Sequence, residues 1–264
     1  MNLPLYQVDA FSDRPFAGNP AAVCPLNGWL DDKFLRKVAA ENNLSETAFF
    51  VPRGTHYDLR WFTPTCEVEL CGHATLASAY VVLNVLNPGL ETVRFDTRHS
   101  GTLTVSKDGD LFSMDLPAMF PRVCPHPPDE LLQSIGTGPT PSSVLEANDT
   151  YIAVYETEIA IRSIRPDFAR MERLHPFAVT ITARGDESDI ASRYFAPSYG
   201  VPEDPVTGAA HCSLTPYWTK RLGKPRLHAR QVSERGGELW CEMAADRVIL
   251  KGSAVLTLEG SLLL

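Results

Sequence analysis

Long apolar runs are missing from these 264 residues. The most apolar stretch, Ala74–Leu86, is broken by Thr75, Ser78 and Asn84, and nothing reaches the ~20 apolar residues that span a bilayer. Met1–Asp9 has no basic run followed by an apolar stretch, so no signal peptide is expected. Low-complexity tracts are absent. No Gly-x-Gly-x-x-Gly follows a strand, and there is no P-loop and no Gly-x-Ser-x-Gly elbow, which removes the usual signals for a dinucleotide, a nucleoside triphosphate and a serine nucleophile. Cys66, Cys71 and His73 are poorly spaced for zinc, and His211-Cys212 lacks a paired set, so no metal is expected. No lysine stands in a pyridoxal-type context. The six cysteines are scattered through a chain too long to need staples; reduced thiols in a cytosol are expected. A net charge of −8 argues against nucleic acid or an anionic membrane as partner, but not against a small anionic substrate.

What is present reads as an ordinary globular chain, 44% apolar and 21% charged. Its length fits one large domain or two of about 130 residues. Strands are expected at Leu5–Phe11, Ala48–Val51, Tyr57–Phe62 and Val93–Asp96. Thr102–Ser106 and Leu111–Leu116 flank an Asp108-Gly109 turn, a hairpin signal. Further strands are expected at Tyr151–Ile161, Phe177–Ala183 and Glu238–Met243, with a second hairpin over Arg247–Leu258 turning near Lys251-Gly252. Asp31–Asn42 has helical periodicity, with Leu35, Val38 and Ala39 on one face. Gly72–Leu86 is apolar nearly all round and reads as a buried helix stopped at Asn87-Pro88. Gly208–Leu222 looks like its partner, kinked at Pro216. Pro117–Pro128 holds five prolines in twelve residues and reads as a linker, giving halves 1–116 and 117–264. The last strands are left free to pack back on the N-terminal half.

The chain contains an internal repeat. Residues 60–65 read Arg-Trp-Phe-Thr-Pro-Thr, and residues 193–198 read Arg-Tyr-Phe-Ala-Pro-Ser. After each copy come an acidic loop (Glu67 and Glu69; Glu203 and Asp204) and a Gly-led helix. Two copies indicate a duplicated globular domain rather than a solenoid, and a duplicated protein commonly binds its ligand in the cleft between halves.

Both helix starts, Gly72-His73-Ala74 and Gly208-Ala209-Ala210, place free N–H groups where an anion is favoured. The same glycines also serve as tight turns. His73, in the first helical turn, is either a capping group or a neutral proton shuttle. Glu46 lies between the first helix and an apolar strand, either solvated or partly buried with a raised pKa and usable as a general acid/base. Asp204 reads locally as a helix cap. Cys71 stands at a helix start, where thiol pKa falls, but the matching place in the second half holds Thr207. A two-thiol mechanism is therefore disfavoured, and Cys71 reads as a small packing residue.

Five segments in order, Phe16-Ala17-Gly18-Asn19-Pro20-Ala21-Ala22-Val23, Asn43-Leu44-Ser45-Glu46-Thr47, Leu70-Cys71-Gly72-His73-Ala74-Thr75, Glu203-Asp204-Pro205-Val206-Thr207-Gly208 and Arg230-Gln231-Val232-Ser233, resemble the PhzF-like proteins of phenazine biosynthesis. The resemblance covers nearly the whole chain. It implies the α+β, diaminopimelate-epimerase-like fold: two pseudo-repeated halves, each an antiparallel sheet wrapped around a central helix. It implies a cofactor-independent isomerase, a cytoplasmic homodimer, acting on a small carboxylate-bearing substrate between the halves. Glu46 matches the family's general acid/base, and His73 and Asp204 match residues that assist proton movement and orient substrate. Gly18, Asn19, Ser45, Gly72, Gly208 and Ala209 fall at substrate-binding positions. The phenazine enzyme has Ser where this chain has Ala209, and Ala and Pro where it has Cys71 and Ala74. These departures leave the fold alone and bear on the substrate. Two alternatives stand beside this reading: a racemase or epimerase using Cys71, and a non-catalytic binding protein on the same fold.

Overall fold

A computed structural model describes residues 2–136 and 138–264; Met1 and Thr137 lie outside the described residues. The chain divides into two compact units, Met1–Leu116 with Ile249–Leu264, and Pro117–Val248.

The first unit runs β1 (Asn2–Ala10), β2 (Asn19–Pro25), α1 (Asp32–Asn42), β3 (Glu46–Arg53), β4 (His56–Phe62), β5 (Glu67–Val68), α2 (Gly72–Tyr80), β6 (Thr92–Thr97), β7 (Thr102–Asp108) and β8 (Leu111–Pro117). Neighbours pair β1–β2, β2–β3, β3–β4, β4–β6, β6–β7 and β7–β8, parallel at β2–β3 and β4–β6 and otherwise antiparallel. The expected hairpin at Gly109 is present, with the glycine at φ +62°, a left-handed value that suits it. Ala254–Leu263 runs antiparallel along the free side of β1.

α1 starts as its sequence dictates. The Asp31 carboxylate accepts the Lys33 N–H, and Asn43 closes the helix in the left-handed region. Leu35, Val38 and Ala39 are buried with Phe49, Val51 and Phe62 on one face of the sheet. On the other face lies α2, packed against β1, β2 and β3. His73–Ala79 are buried, as a helix apolar all round requires. Its buried hydroxyls turn inward on the helix itself: Thr75 donates to Cys71 O and Ser78 to Ala74 O. The helix continues as a π turn, Val81–Leu86, ending before Pro88.

The second unit runs β9 (Arg122–Val123), α3 (Asp129–Ser134), β10 (Ser143–Ala147), β11 (Thr150–Val154), α4 (Glu158–Ser163), α5 (Phe168–Met171), β12 (Ala178–Arg184), β13 (Ile190–Ala196), β14 (Val201–Asp204), α6 (Gly208–Leu222), β15 (Arg226–Gln231) and β16 (Gly237–Ala244). From β10 to β16 its main pairings repeat those of the first unit: antiparallel, parallel, antiparallel, parallel, antiparallel. The repeated arginines occupy equivalent places. Arg60 on β4 binds Glu67 through Nε and Nη2 at 2.7 Å each. Arg193 on β13 binds Glu203 the same way at 2.8 and 2.9 Å. Each guanidinium also lies over the phenylalanine two residues on, Phe62 or Phe195.

Several expectations are corrected. The strand expected over Tyr151–Ile161 ends at Val154, because Thr157 caps α4 by accepting the Ala160 N–H. The hairpin expected over Arg247–Leu258 is absent. Strands Arg247–Gly252 and Ala254–Leu263 are separated by Ser253 alone, and the second pairs with β1. Gly252 serves close packing there, since a Cβ would meet Phe11 Cδ1 at 2.4 Å. The proline-rich stretch carries the short edge strand β9, paired with Leu145 and Glu146. α6 runs through Pro216. Proline has no N–H to offer the Cys212 carbonyl four residues back, and the Met119 N–H takes that place at 3.0 Å.

Candidate active site

Glu46 is the first residue of β3 and sits beside Ala21 of β2 in the parallel register. Its side chain is 15% exposed, while Thr47–Val51 beyond it are buried. The chain reaches this point from Asn43, whose left-handed backbone ends α1, and passes through Ser45, which is half-buried directly before Glu46.

His73 is the second residue of α2, placed there by the Gly-led start. Cys71 is the N-cap and makes no side-chain cap hydrogen bond. The His73 ring is surrounded. Its Nε2 lies 3.2 Å from Glu46 Oε2. Asn19 Nδ2 donates to its Nδ1 at 3.1 Å, and Cys71 Sγ stands 3.4 Å from that same nitrogen. The Asn19 amide N–H can only donate to Nδ1, so the ring proton belongs on Nε2. Burial holds the His73 pKa down at about 3, against the ordinary 6.5. The ring is neutral at neutral pH, so the 3.2 Å approach of its Nε2 to Glu46 Oε2 is a close contact and not an ion pair.

Asn19 is aimed by the loop before it. Asp9 is buried and accepts the Phe16 N–H at 2.8 Å. Gly18 has φ +67°, and a Cβ there would meet Ala10 O at 2.3 Å, so only glycine fits the turn that delivers Asn19. Glu46, His73 and Asn19 are thus assembled in the first unit, with Gly72 at the helix start and Gly18 and Ser45 beside them in sequence. Cys71 joins them. Sequence reasoning read it as packing, and its contact with His73 follows from the helix start alone. Glu46, Cys71 and His73 each offer a ligand atom within 4.8 Å of the others.

Asp204, Gly208 and Ala209 belong to the second unit. Asp204 ends β14, is buried, and accepts the Thr207 hydroxyl at 2.5 Å. The cap position of α6 is Thr207, so Asp204 is not the helix cap that its local sequence suggested. Gln231 braces this loop: its Nε2 donates to Asp204 O at 2.7 Å and its Oε1 accepts the Thr207 N–H at 2.9 Å. Ser233 donates to Pro205 O at 2.8 Å. These are the roles of the Arg230–Ser233 motif, to which the sequence alone gave none. Gly208 leads α6 and Ala209 is exposed beside it.

The sequence pattern of the phenazine biosynthesis-like proteins, PhzC-PhzF, matches residues 8–260. The chain belongs to this family. It is 51% identical to an uncharacterized isomerase of Pseudomonas aeruginosa over 99% of both chains. A PhzF-family phenazine biosynthesis protein of Enterococcus faecalis superposes with a TM-score of 0.94 at 43% identity, covering all of both chains. A probable proline racemase from Agrobacterium radiobacter shares the fold alone, with a TM-score of 0.65 at 10% identity over 99% of this chain and 93% of that one. Like other PhzC-PhzF proteins, this chain has the α+β, diaminopimelate-epimerase-like architecture. Among the described residues, no helix is long and apolar enough to cross a membrane.

Proposed function

We propose that this PhzC-PhzF protein is an isomerase that moves a proton on a small carboxylate-bearing metabolite by general acid/base catalysis, without a cofactor. The observation that carries the reading is the buried relay Asn19–His73–Glu46, with Glu46 Oε2 3.2 Å from the Nε2 of a neutral histidine. Relatives named isomerases agree with it. In this reading the Glu46 carboxylate accepts a proton from an acidic C–H of the substrate and returns it to another carbon or to the opposite face. Neutral His73 packs against Glu46 in the burial that raises a carboxylate's basicity, and Asn19 fixes the histidine tautomer. Positioned transfer of this kind contributes about 10²–10⁴-fold in rate. The substrate carboxylate takes the first-turn N–H groups at Gly72. Asp204, Gly208 and Ala209 keep the roles that the resemblance implies, as do Gly18 and Ser45 at substrate-binding positions. A cytoplasmic homodimer is likewise part of the reading on resemblance.

A second reading rests on the Cys71 Sγ contact with His73 Nδ1 at 3.4 Å. A thiol so close to an acceptor nitrogen is a possible proton carrier, as a cysteine-dependent racemase or epimerase requires. That reading expects activity to be lost in Cys71→Ser and after thiol alkylation.

Deuterium wash-in decides between them. The protein is incubated in D₂O with a pool of small carboxylic acids, and carbon-bound deuterium is read by mass spectrometry. Exchange in the wild type and none in Glu46→Gln is the expected result. Exchange that survives in Glu46→Gln but not in Cys71→Ser moves the base to the thiol and overturns the first reading.

A further inference from the structure

The two Gly-led helices correspond, Gly72 with Gly208, so their cap residues correspond as well, Cys71 with Thr207. Three residues into each helix, Thr75 then corresponds to His211. Each donates back to the carbonyl of its cap residue. The Thr75 hydroxyl reaches Cys71 O at 2.6 Å, and His211 Nδ1 reaches Thr207 O at 2.8 Å. A carbonyl can only accept, so the His211 ring proton sits on Nδ1. The units thus clamp the same backbone position by different chemistry. Each clamped residue turns its side chain to a group of the candidate site. Cys71 Sγ lies 3.4 Å from His73 Nδ1, and the Thr207 hydroxyl lies 2.5 Å from Asp204 Oδ2.

In the second unit the donors and acceptors fix one another in turn. The Thr207 N–H can only donate, and it meets Gln231 Oε1 at 2.9 Å. This settles which end of the Gln231 amide is oxygen. The other end, Nε2, can only donate; it reaches Asp204 O at 2.7 Å and Thr207 Oγ1 at 3.2 Å. Thr207 Oγ1 accepts there and carries a single proton, so that proton points to Asp204 Oδ2. The chain runs one way, from the Gln231 amide through the Thr207 hydroxyl to the Asp204 carboxyl group. Gln231, His211 and Asp204 are buried, so water competes little for these bonds. Threonine at a helix cap commonly turns its hydroxyl to the first-turn N–H groups. Thr207 makes no such side-chain bond. Its hydroxyl is given to Asp204 instead, while its N–H and carbonyl are held by Gln231 and His211.

We propose that Thr207 is a positioning residue of the candidate active site: its hydroxyl, aimed by Gln231, fixes the orientation of the Asp204 carboxyl group. The effect on turnover rests on the proton-transfer reading, in which Asp204 assists at the substrate; the orientation of Asp204 does not.

Two variants test this. Thr207→Val keeps the shape of the side chain and removes the hydroxyl, while Thr207→Ser keeps the hydroxyl. Crystal structures of the wild type and both variants read the side-chain torsions of Asp204, and deuterium wash-in with the pool of small carboxylic acids reads the consequence. Asp204 is expected to keep its orientation in Thr207→Ser and to leave it in Thr207→Val. Exchange is expected to fall about tenfold in Thr207→Val, the loss of one hydrogen bond to a charged group, and to stay within about twofold of wild type in Thr207→Ser. A threonine that only packed would be replaced by valine without loss. Asp204 unmoved in Thr207→Val overturns the proposal, and so does full exchange in that variant with Asp204 displaced. If the wild type exchanges none of the acids, the proton-transfer reading is what suffers, and the Asp204 torsions alone decide the positioning. Should Thr207→Val fail to fold, as judged by thermal unfolding, a neutron structure of the wild type decides. A Thr207 hydroxyl proton on the line to Asp204 Oδ2 supports the proposal, and one turned elsewhere overturns it.

Discussion

At the scale of single residues, two buried histidines make the fold sensitive to acid. Burial lowers the pKa of His73 to about 3 and of His211 to about 4, both from 6.5. The unfolded chain binds their protons near pH 6.5 and the native chain does not, so stability is full above that pH and falls as pH drops towards the native values. Between about pH 6.5 and pH 4 each histidine removes ~1.4 kcal/mol of stability per pH unit. Urea unfolding at a series of pH values should show this loss, and His211→Gln should remove the His211 share of it while the His73 share remains. The same burial predicts that a pH–rate profile carries no histidine inflection near pH 6.5 from His73. Gly18 makes a different demand. Its left-handed φ and the 2.3 Å approach of a Cβ to Ala10 O leave Gly18→Ala no unstrained conformation. That variant should lose thermal stability and also exchange activity, because Asn19 is displaced from His73. A Gly18→Ala protein as stable and as active as wild type would remove the loop from the site. Glu46 and His73 were legible in the sequence because their motifs carry them. The contacts of Asn19 and Cys71 with the histidine were not. A side chain two residues before a histidine and one 54 residues away meet only once the helix start and the sheet are built.

At the scale of elements, loops are fixed by partners far off in sequence. The Asp204–Thr207 loop depends on Gln231 of β15, which satisfies a buried carbonyl and a helix-start N–H together. In Gln231→Leu both groups lose their partner, and destabilisation of roughly 1–3 kcal/mol per unsatisfied group is expected in chemical unfolding. Elements with a local cause were the readable ones. α1 has its cap and its apolar face, the Gly109 hairpin has its turn residues, and α2 has an apolar surface all round. Those that rested on tertiary pairing were missed. β2 and β10 are short strands without clear alternation, held by neighbours on both sides. The Arg247–Leu258 segment looked like a hairpin because Lys251-Gly252 resembles a turn, yet the glycine is there to admit Phe11. Pro216 stands inside α6 as expected, and the hydrogen bond it cannot make is replaced by one from the Met119 N–H, a partner the sequence does not show.

At the scale of the molecule, the first unit is assembled from both ends of the chain, while the second is continuous. β1 is an inner strand because Ala254–Leu263 covers one side and β2 the other. Without the terminal strand, β1 would present an unpaired row of N–H and C=O groups, a hazard for association. The register pairs Asn2 with Leu263, so the two ends of the described chain lie on neighbouring antiparallel strands. A circular permutant follows from this. Leu264 is dropped, Leu263 is joined through Asn-Gly to Asn2, and the chain is reopened between Leu116 and Pro117. The joint becomes a two-residue hairpin turn of the favoured type, and all segments of the first unit become contiguous. Each unit then reads as an unbroken stretch of chain, without change to any strand pairing within the first. The permutant should fold with native circular dichroism and retain cooperative unfolding, since the joined ends are already neighbours on paired strands and the cut falls at the boundary between the two units. Removing Ala254–Leu263 from the natural order should instead give aggregated protein. If the permutant failed to fold while the shortened chain stayed soluble and cooperative, the terminal strand would not be integral to the first unit, and β1 would have to be stable as an edge.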